Sequence, residues 1–132
     1  MTNSNQIKIP NMNIVSEANS NEHFRVKAKR HKIQKLIVWS YMKRLTIPPM
    51  PVIVTLTRYA PRPYDDDNLI PAFKYIRDAV SEHILGEVDN KKYRPGRADS
   101  DPRIKWKYTQ EKTTQEENYI TISVEEGKQD LA

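Results

Sequence analysis

Apolar residues recur along the chain at spacings that predict two helices. From Phe24 to Leu45 they lie three and four positions apart, which is typical of a helix with one apolar stripe. The stripe consists of Ile33, Leu36, Ile37, Tyr41 and Leu45. The opposite face is basic and carries Arg25, Lys27, Lys29, Arg30, Lys32 and Lys35. Two interpretations of that basic face remain open: the solvated side of a core helix, or a surface that follows a phosphate backbone.

A second helix is predicted from about Asn68 to Leu85. Its apolar stripe is Leu69, Phe73, Ile76, Val80 and Ile84. Asp67 takes the N-cap position, and Pro71 falls in the first turn, where a missing N–H costs little. Gly86 is the expected C-terminal stop, because glycine commonly ends helices.

Alternating apolar and polar residues predict the strands. One strand covers Val52 to Arg58, and a short one covers Gln6 to Ile9. Two more lie near the C-terminus, one built on Ile104, Trp106 and Tyr108 and the other on Ile120, Ile122 and Val124. The polar link between these last two strands favours an antiparallel hairpin.

These elements predict a single small α+β domain with a mixed sheet of three or four strands and two main helices. We expect an N-terminal arm, partly mobile, over residues 1–22, the domain over 23–126 and a tail over 127–132. A polar loop is predicted over 87–102, and loops of that length are commonly functional.

Charge along the chain is divided unevenly. The net charge is +5, but residues 1–62 hold 11 basic and 2 acidic side chains, whereas residues 63–132 hold 11 basic and 15 acidic ones. A basic excess favours an anionic partner, most simply nucleic acid. The chain has no cysteine, which excludes disulfides and thiolate metal sites. It has no apolar run of membrane-spanning length and no signal-peptide pattern, so a cytoplasmic location is expected.

Acidic residues cluster at two places that could hold a metal ion. Asp65, Asp66 and Asp67 stand at the entrance to the second helix, and Asp99 and Asp101 precede the Ile104 strand. Adjacent carboxylates repel one another, and either a helix N-terminus or a bound divalent cation would relieve that repulsion. Mg²⁺ suits such oxygen ligands. Two interpretations stay open here as well, a metal site or structural caps and loop acids.

Other residues refine the choice of chemistry. A calcium-binding loop counted from Asp65 would need Gly at Ile70 and Glu at Ile76, so that class is excluded. Lys74 lies two turns beyond Asp67 and could neutralise charge on a phosphate, although a solvent-exposed helix lysine, which helix propensity favours, is the simpler interpretation.

Several runs in the chain resemble the RusA family of Holliday junction resolvases, particularly its phage- and prophage-borne branch. The first run is Ala60-Pro61-Arg62 with Asp65-Asp66-Asp67-Asn68-Leu69, followed by Ala72-Phe73-Lys74 and Arg77-Asp78-Ala79. The second is Asp99-Ser100-Asp101-Pro102-Arg103-Ile104-Lys105-Trp106 with Gln110-Glu111-Lys112, and Phe24-Arg25-Val26-Lys27-Ala28-Lys29 is similar to that branch as well. The resemblance covers roughly residues 20–126.

The resemblance implies a homodimeric endonuclease of RusA-like fold that makes paired cuts in four-way DNA during recombination and repair. It implies Mg²⁺ as the cofactor, with Mn²⁺ as a substitute, and no small-molecule cofactor. The implied ligands are Asp65, Asp67 and Asp101, with Asp99 as a secondary candidate. The family lysine falls on Pro71 here, a departure, and its role transfers to Lys74 as in the phage branch. The expected DNA contacts are Arg62, Arg94, Arg97, Lys27, Lys29 and Arg30.

Two other classes of function remain compatible with the sequence. One is a non-catalytic, basic DNA-binding module whose acids only cap a helix. The other is an RNA binder of ribosomal type, which would show salt-dependent binding and no preference for branched DNA.

Overall fold

Four strands and three helices form the fold in a computed structural model, which describes residues 5–12, 14, 24–88, 98–114 and 117–127. The elements in chain order are β1 (Gln6–Ile9), α1 (Phe24–Met42), β2 (Val52–Ala60), α2 (Asp66–Ala72), α3 (Lys74–Val88), a 3₁₀ turn (Ala98–Ser100), β3 (Ile104–Lys112) and β4 (Tyr119–Glu126). The prediction of one small α+β domain with a mixed sheet is confirmed.

The sheet has the strand order β1-β4-β2-β3, so β2 lies between the two C-terminal strands. β2 pairs in parallel with β3, from Val52 beside Ile104 to Ala60 beside Lys112, and antiparallel with β4. The predicted hairpin of β3 with β4 is therefore wrong. Helix α3 provides the crossover that parallel strands require, and it returns the chain to start β3 beside β2.

One face of the sheet and the helices α1 and α3 enclose the hydrophobic core. The predicted stripe of the second helix is confirmed, since all five of its members are buried. Described residues of the N-terminal segment also contribute, because β1 pairs with β4 and the side chains of Met12 and Ile14 are buried. In the described parts of the chain, no helix is long and apolar enough to cross a membrane.

The predicted apolar stripe of α1 faces the core only in part. Ile33 and Leu36 are 47% and 53% exposed, whereas Ile37 and Tyr41 pack against the core and Leu45, just beyond the helix, is buried. The fully buried residues Val38 and Met42 do not belong to the predicted stripe. Both sets of residues follow helical spacing, because α1 is apolar on two sides. Periodicity alone could not decide which side packs on the sheet.

The predicted second helix is interrupted near its start. Its N-cap is Asp65 rather than Asp67, so the helix begins earlier than the sequence indicated. Pro71 lies inside α2 rather than in its first turn, and its missing N–H leaves the helix without a ladder bond. The chain leaves helical geometry at Phe73 and starts again as α3 at Lys74. Gly86 does not end α3, which continues to Val88.

Candidate functional site

Asp65 and Asp67 are both exposed at the start of α2. The backbone of Asp65 is extended, at φ −64° and ψ 156°, and its carbonyl oxygen accepts bonds of 2.9 Å from the N–H groups of Asn68 and Leu69. Its carboxylate makes no capping hydrogen bond. Neither carboxylate has an ion-pair partner among the described residues, so their oxygens remain available to an external cation.

Tyr64 fixes the approach to this helix entrance. Its N–H donates to Gln110 Oε1 at 2.9 Å, and Gln110 Nε2 donates to its carbonyl oxygen at 2.6 Å. Its hydroxyl donates to the carbonyl oxygen of Ile14 at 3.0 Å. The guanidinium of the buried Arg58 stacks on its ring at 3.7 Å and donates to the Arg62 carbonyl oxygen. Asp65 therefore follows a segment held to both β2 and β3.

Asp101 is buried, and Arg103 occupies its carboxylate. Arg103 Nε donates to Asp101 Oδ1 at 3.0 Å, and Nη2 donates to Oδ2 at 2.9 Å. The Arg103 backbone N–H adds a third bond, of 2.9 Å, to Oδ1. Val52 N–H in turn donates to the Arg103 carbonyl oxygen at 2.9 Å. In this arrangement Asp101 shapes the turn that starts β3 beside β2.

Asp99 lies in the 3₁₀ turn and is held by Arg77 from the first turn of α3. Arg77 Nε lies 2.9 Å from Asp99 Oδ2, an ion pair without hydrogen-bond geometry. Arg77 Nη2 donates to the Asp99 carbonyl oxygen at 3.0 Å, and Nη1 donates to the Tyr108 hydroxyl at 2.7 Å. Its guanidinium also stacks on Trp106 at 4.7 Å. One arginine thus joins α3, the turn and β3.

Replacing Arg77 with Met should lower the free energy of unfolding by about 2 kcal/mol. Removing one partner of a fully buried pair costs about 3–5 kcal/mol, and partial exposure of this pair reduces that cost. Urea titration followed by tryptophan fluorescence measures the change. Lys74→Met is the matched control on the same helix, because Lys74 is exposed, and its effect should stay within about 0.5 kcal/mol. Equal effects of the two variants would contradict the role assigned to Arg77.

Asp78 follows Arg77 on α3, and its carboxyl group is buried. Desolvation raises its pKa above the ordinary value, and the negative charges of Asp99 and Glu82 raise it further. The ammonium groups of Lys35 and Lys74 oppose that shift. Lys35 also forms an ion pair of 3.1 Å with Glu82, which connects α1 to α3. The fold therefore disfavours the ionised form of Asp78.

Replacing Asp78 with Asn should stabilise the protein progressively as the pH rises. Because the pKa of Asp78 is raised in the fold, the folded protein binds more protons than the unfolded chain between the ordinary and the raised pKa. The wild type therefore loses stability as the pH increases through that interval, and the variant does not. Urea titrations from about pH 3 to about pH 7 measure the difference. A difference that does not change with pH would contradict the assignment, and Glu126→Gln, at an exposed position on β4, serves as the control.

The predicted cationic residues are spread over three regions. Lys74 opens α3 as an exposed side chain, with Nζ 5.4 Å from the centre of the Tyr75 ring. Arg62 is exposed between β2 and α2. Lys27, Lys29 and Arg30 lie on α1. Arg94 and Arg97, with most of the predicted 87–102 loop, lie outside the described residues.

The structure does not bring the three implied metal ligands together. Asp65 follows Tyr64, which is bonded to Gln110 on β3. The turn that carries Asp99 is instead bonded to Trp106 on the same strand, through a bond of 3.2 Å from Trp106 Nε1 to the Asp99 carbonyl oxygen. Gln110 and Trp106 are four residues apart, which is about 13 Å along a strand. Over the described side chains, no group of three or more His, Cys, Asp or Glu residues could hold a metal ion.

Sequence reasoning assigned no role to Arg77 or Asp78, although both stand within a run that resembles the family. The available signal was the position of two charged residues between the buried Ile76 and Val80. Charged side chains are almost never fully buried without a partner, but spacing alone does not distinguish these two from solvated helix residues. Comparisons of the chain with protein-family models, curated proteins and solved structures find no match.

Proposed function

We propose that this chain is a Mg²⁺-dependent endodeoxyribonuclease that resolves four-way DNA junctions by paired, symmetric cleavage. The observation that carries the proposal is the pair of exposed carboxylates, Asp65 and Asp67, without cationic partners among the described residues. They follow a stretch, residues 23–64, that contains no acidic residue. Such acids in a basic chain are suited to a cation that binds together with a phosphate. The resemblance to the RusA family points to the same activity.

Two of the three implied ligands fit a magnesium ion. Mg²⁺ usually takes one or two carboxylates, and phosphate oxygens and waters complete its coordination. Asp65 and Asp67 meet that requirement, whereas Asp101 does not fit where it lies, because Arg103 occupies its carboxylate. Magnesium at such a site supplies an activated water and stabilises charge that develops on the phosphate.

The remaining residues bind and orient the DNA in this proposal. Arg62 precedes α2 and Lys74 follows it, and both side chains are exposed. In this proposal their cationic groups contact phosphates next to the one that is cut. The basic residues of α1 contribute sequence-independent attraction to the backbone. A homodimer with two-fold symmetry would match the symmetry of the junction and set two opposed cuts.

A synthetic four-way junction tests the activity directly. With Mg²⁺ present, the protein should convert the junction into nicked duplexes, with cuts at symmetric positions on opposed strands. Excess EDTA added at the start should abolish cleavage, and added Mg²⁺ should restore it. A linear duplex of the same sequence is the control substrate. Binding without any metal-dependent cut would contradict the proposed activity.

A second candidate is a DNA-binding module without catalysis. The engagement of Asp101 by Arg103 favours it, because this leaves only two of the implied ligands available. The capping role that this alternative assigns to the acids is not supported at Asp65, whose side chain makes no capping bond. In the junction assay the module would shift the mobility of the DNA and leave it intact.

A further inference from the structure

Helix α1 carries an apolar surface that the core does not use. We call Val26, Ile33 and Leu36 the outer stripe; they are 52%, 47% and 53% exposed. Their spacings of seven and three place them on one side of the helix, turned away from the buried Val38 and Met42. Exposed large apolar side chains aligned in this way commonly mark a docking surface.

Two hollows extend the outer stripe along α1. The first has a volume of about 630 Å³ and is lined by Met12, Val26, Lys29, Arg30, Ile33 and Ile37 among others. The second has about 460 Å³ and is lined by Leu36, Trp39, Ser40, Lys43, Glu82 and His83. From Val26 to Ser40 the surface is about 21 Å long, which corresponds to four turns of a docked helix.

The charge around the outer stripe indicates the kind of partner. Lys29 and Arg30 line the first hollow, and Lys43 lines the second together with Glu82, which is paired with Lys35; α1 itself carries no acidic residue. Packing α1 of a second copy against this helix would bring the two basic sets together, so electrostatics opposes a symmetric α1 contact. A DNA backbone would pair with the basic residues but offers no apolar surface to cover the three exposed apolar side chains. An acidic amphipathic helix satisfies both features.

We propose that the outer stripe of α1 is a docking site for an acidic, amphipathic helix of a partner protein. The apolar face of the partner packs on Val26, Ile33 and Leu36, and its flanking carboxylates meet basic residues such as Lys29. The proposed function assigns these basic residues to the DNA backbone as well, so DNA and the partner helix would compete for them. Asp65 and Asp67 take no part in this surface, and the proposal does not depend on the proposed cleavage activity.

A designed peptide tests the docking site on the full-length protein. The probe is a helical peptide of about 20 residues, long enough to cover the surface, with Leu on one face and Glu on the flanks. A scrambled peptide of equal composition lacks the apolar face, and a third peptide has Lys in place of Glu. Amide chemical shifts recorded during titration should change along residues 26–40 with the first peptide only. No binding by about 1 mM, or equal binding of the scrambled peptide, would overturn the proposal.

Matched variants locate the contact. Ile33→Ser combined with Leu36→Ser should weaken peptide binding by more than about tenfold, and both positions are exposed, so the fold should be retained. Ile70→Ser is the control, because Ile70 is 49% exposed but lies on α2. An equal loss in the control overturns the assignment. The assignment is also overturned if duplex DNA shifts the amide signals of the outer stripe and the double variant weakens that DNA binding. Self-association of the protein through α1, detected by light scattering, would overturn it too.

Discussion

The Asp67→Asn variant is expected to cut four-way junction DNA in the presence of Mg²⁺ at a rate at least about a hundredfold below that of the wild type, because losing even an outer-shell partner of a metal ligand costs about 10–100-fold. Asn keeps the size of the side chain but removes the negative charge that a divalent cation requires. Binding of the junction should remain, because the basic residues that attract the DNA backbone are unchanged. Gel assays of cleavage and of mobility, run on the same preparation, measure both quantities.

Glu126→Gln provides the matched control for this experiment. Glu126 is exposed at the end of β4, so its replacement changes the net charge by the same amount as Asp67→Asn and should leave cleavage unchanged. Asp65→Asn should reproduce the loss seen with Asp67→Asn. Undiminished cutting by the Asp67 variant would remove the basis of the metal site, and equal losses in all three variants would indicate a nonspecific effect of charge.

The fold could be predicted wherever local pattern and tertiary packing agree. The stripe of Leu69, Phe73, Ile76, Val80 and Ile84 is buried as predicted, because its spacing matches only one helical face. On α1 two apolar faces compete, and only contact with the sheet decides that Val38 and Met42 point inwards. Strand pairing is a long-range choice, and the alternation within β3 and β4 carries no information about β2 lying between them.

The candidate site could be predicted in part for a similar reason. Asp65 and Asp67 stand out in the sequence because they belong to a run of three acids that follows a long stretch without any, and the structure leaves them exposed. The surroundings of Asp99 and Asp101 could not be predicted in the same way. Arg77 on α3 contacts Asp99 in the 3₁₀ turn, and Arg103 folds back on Asp101 at the start of β3. Such partnerships depend on side-chain geometry that residue spacing does not encode.

Phe73 should be the side chain whose loss destabilises the candidate site most. It is fully buried at the junction of α2 and α3, where its N–H donates to the Ile70 carbonyl oxygen at 3.1 Å and its own carbonyl oxygen accepts from Arg77 N–H at 2.8 Å. Its ring lies 6.0 Å from that of Tyr108 on β3. Phe73→Ala should lower the free energy of unfolding by about 3–5 kcal/mol, which urea titration measures.

A large loss cannot be attributed to helix propensity. Phe73 stands where the chain leaves helical geometry between α2 and α3, so any large destabilisation must come from the cavity left against β3. Phe73→Leu retains most of the volume and should cost less than about 2 kcal/mol. Ile70→Ala removes an apolar side chain from the same helix at an exposed position and should cost less than Phe73→Leu. If Phe73→Ala cost no more than Ile70→Ala, the ring could not be what holds α2, and with it Asp67, against the sheet.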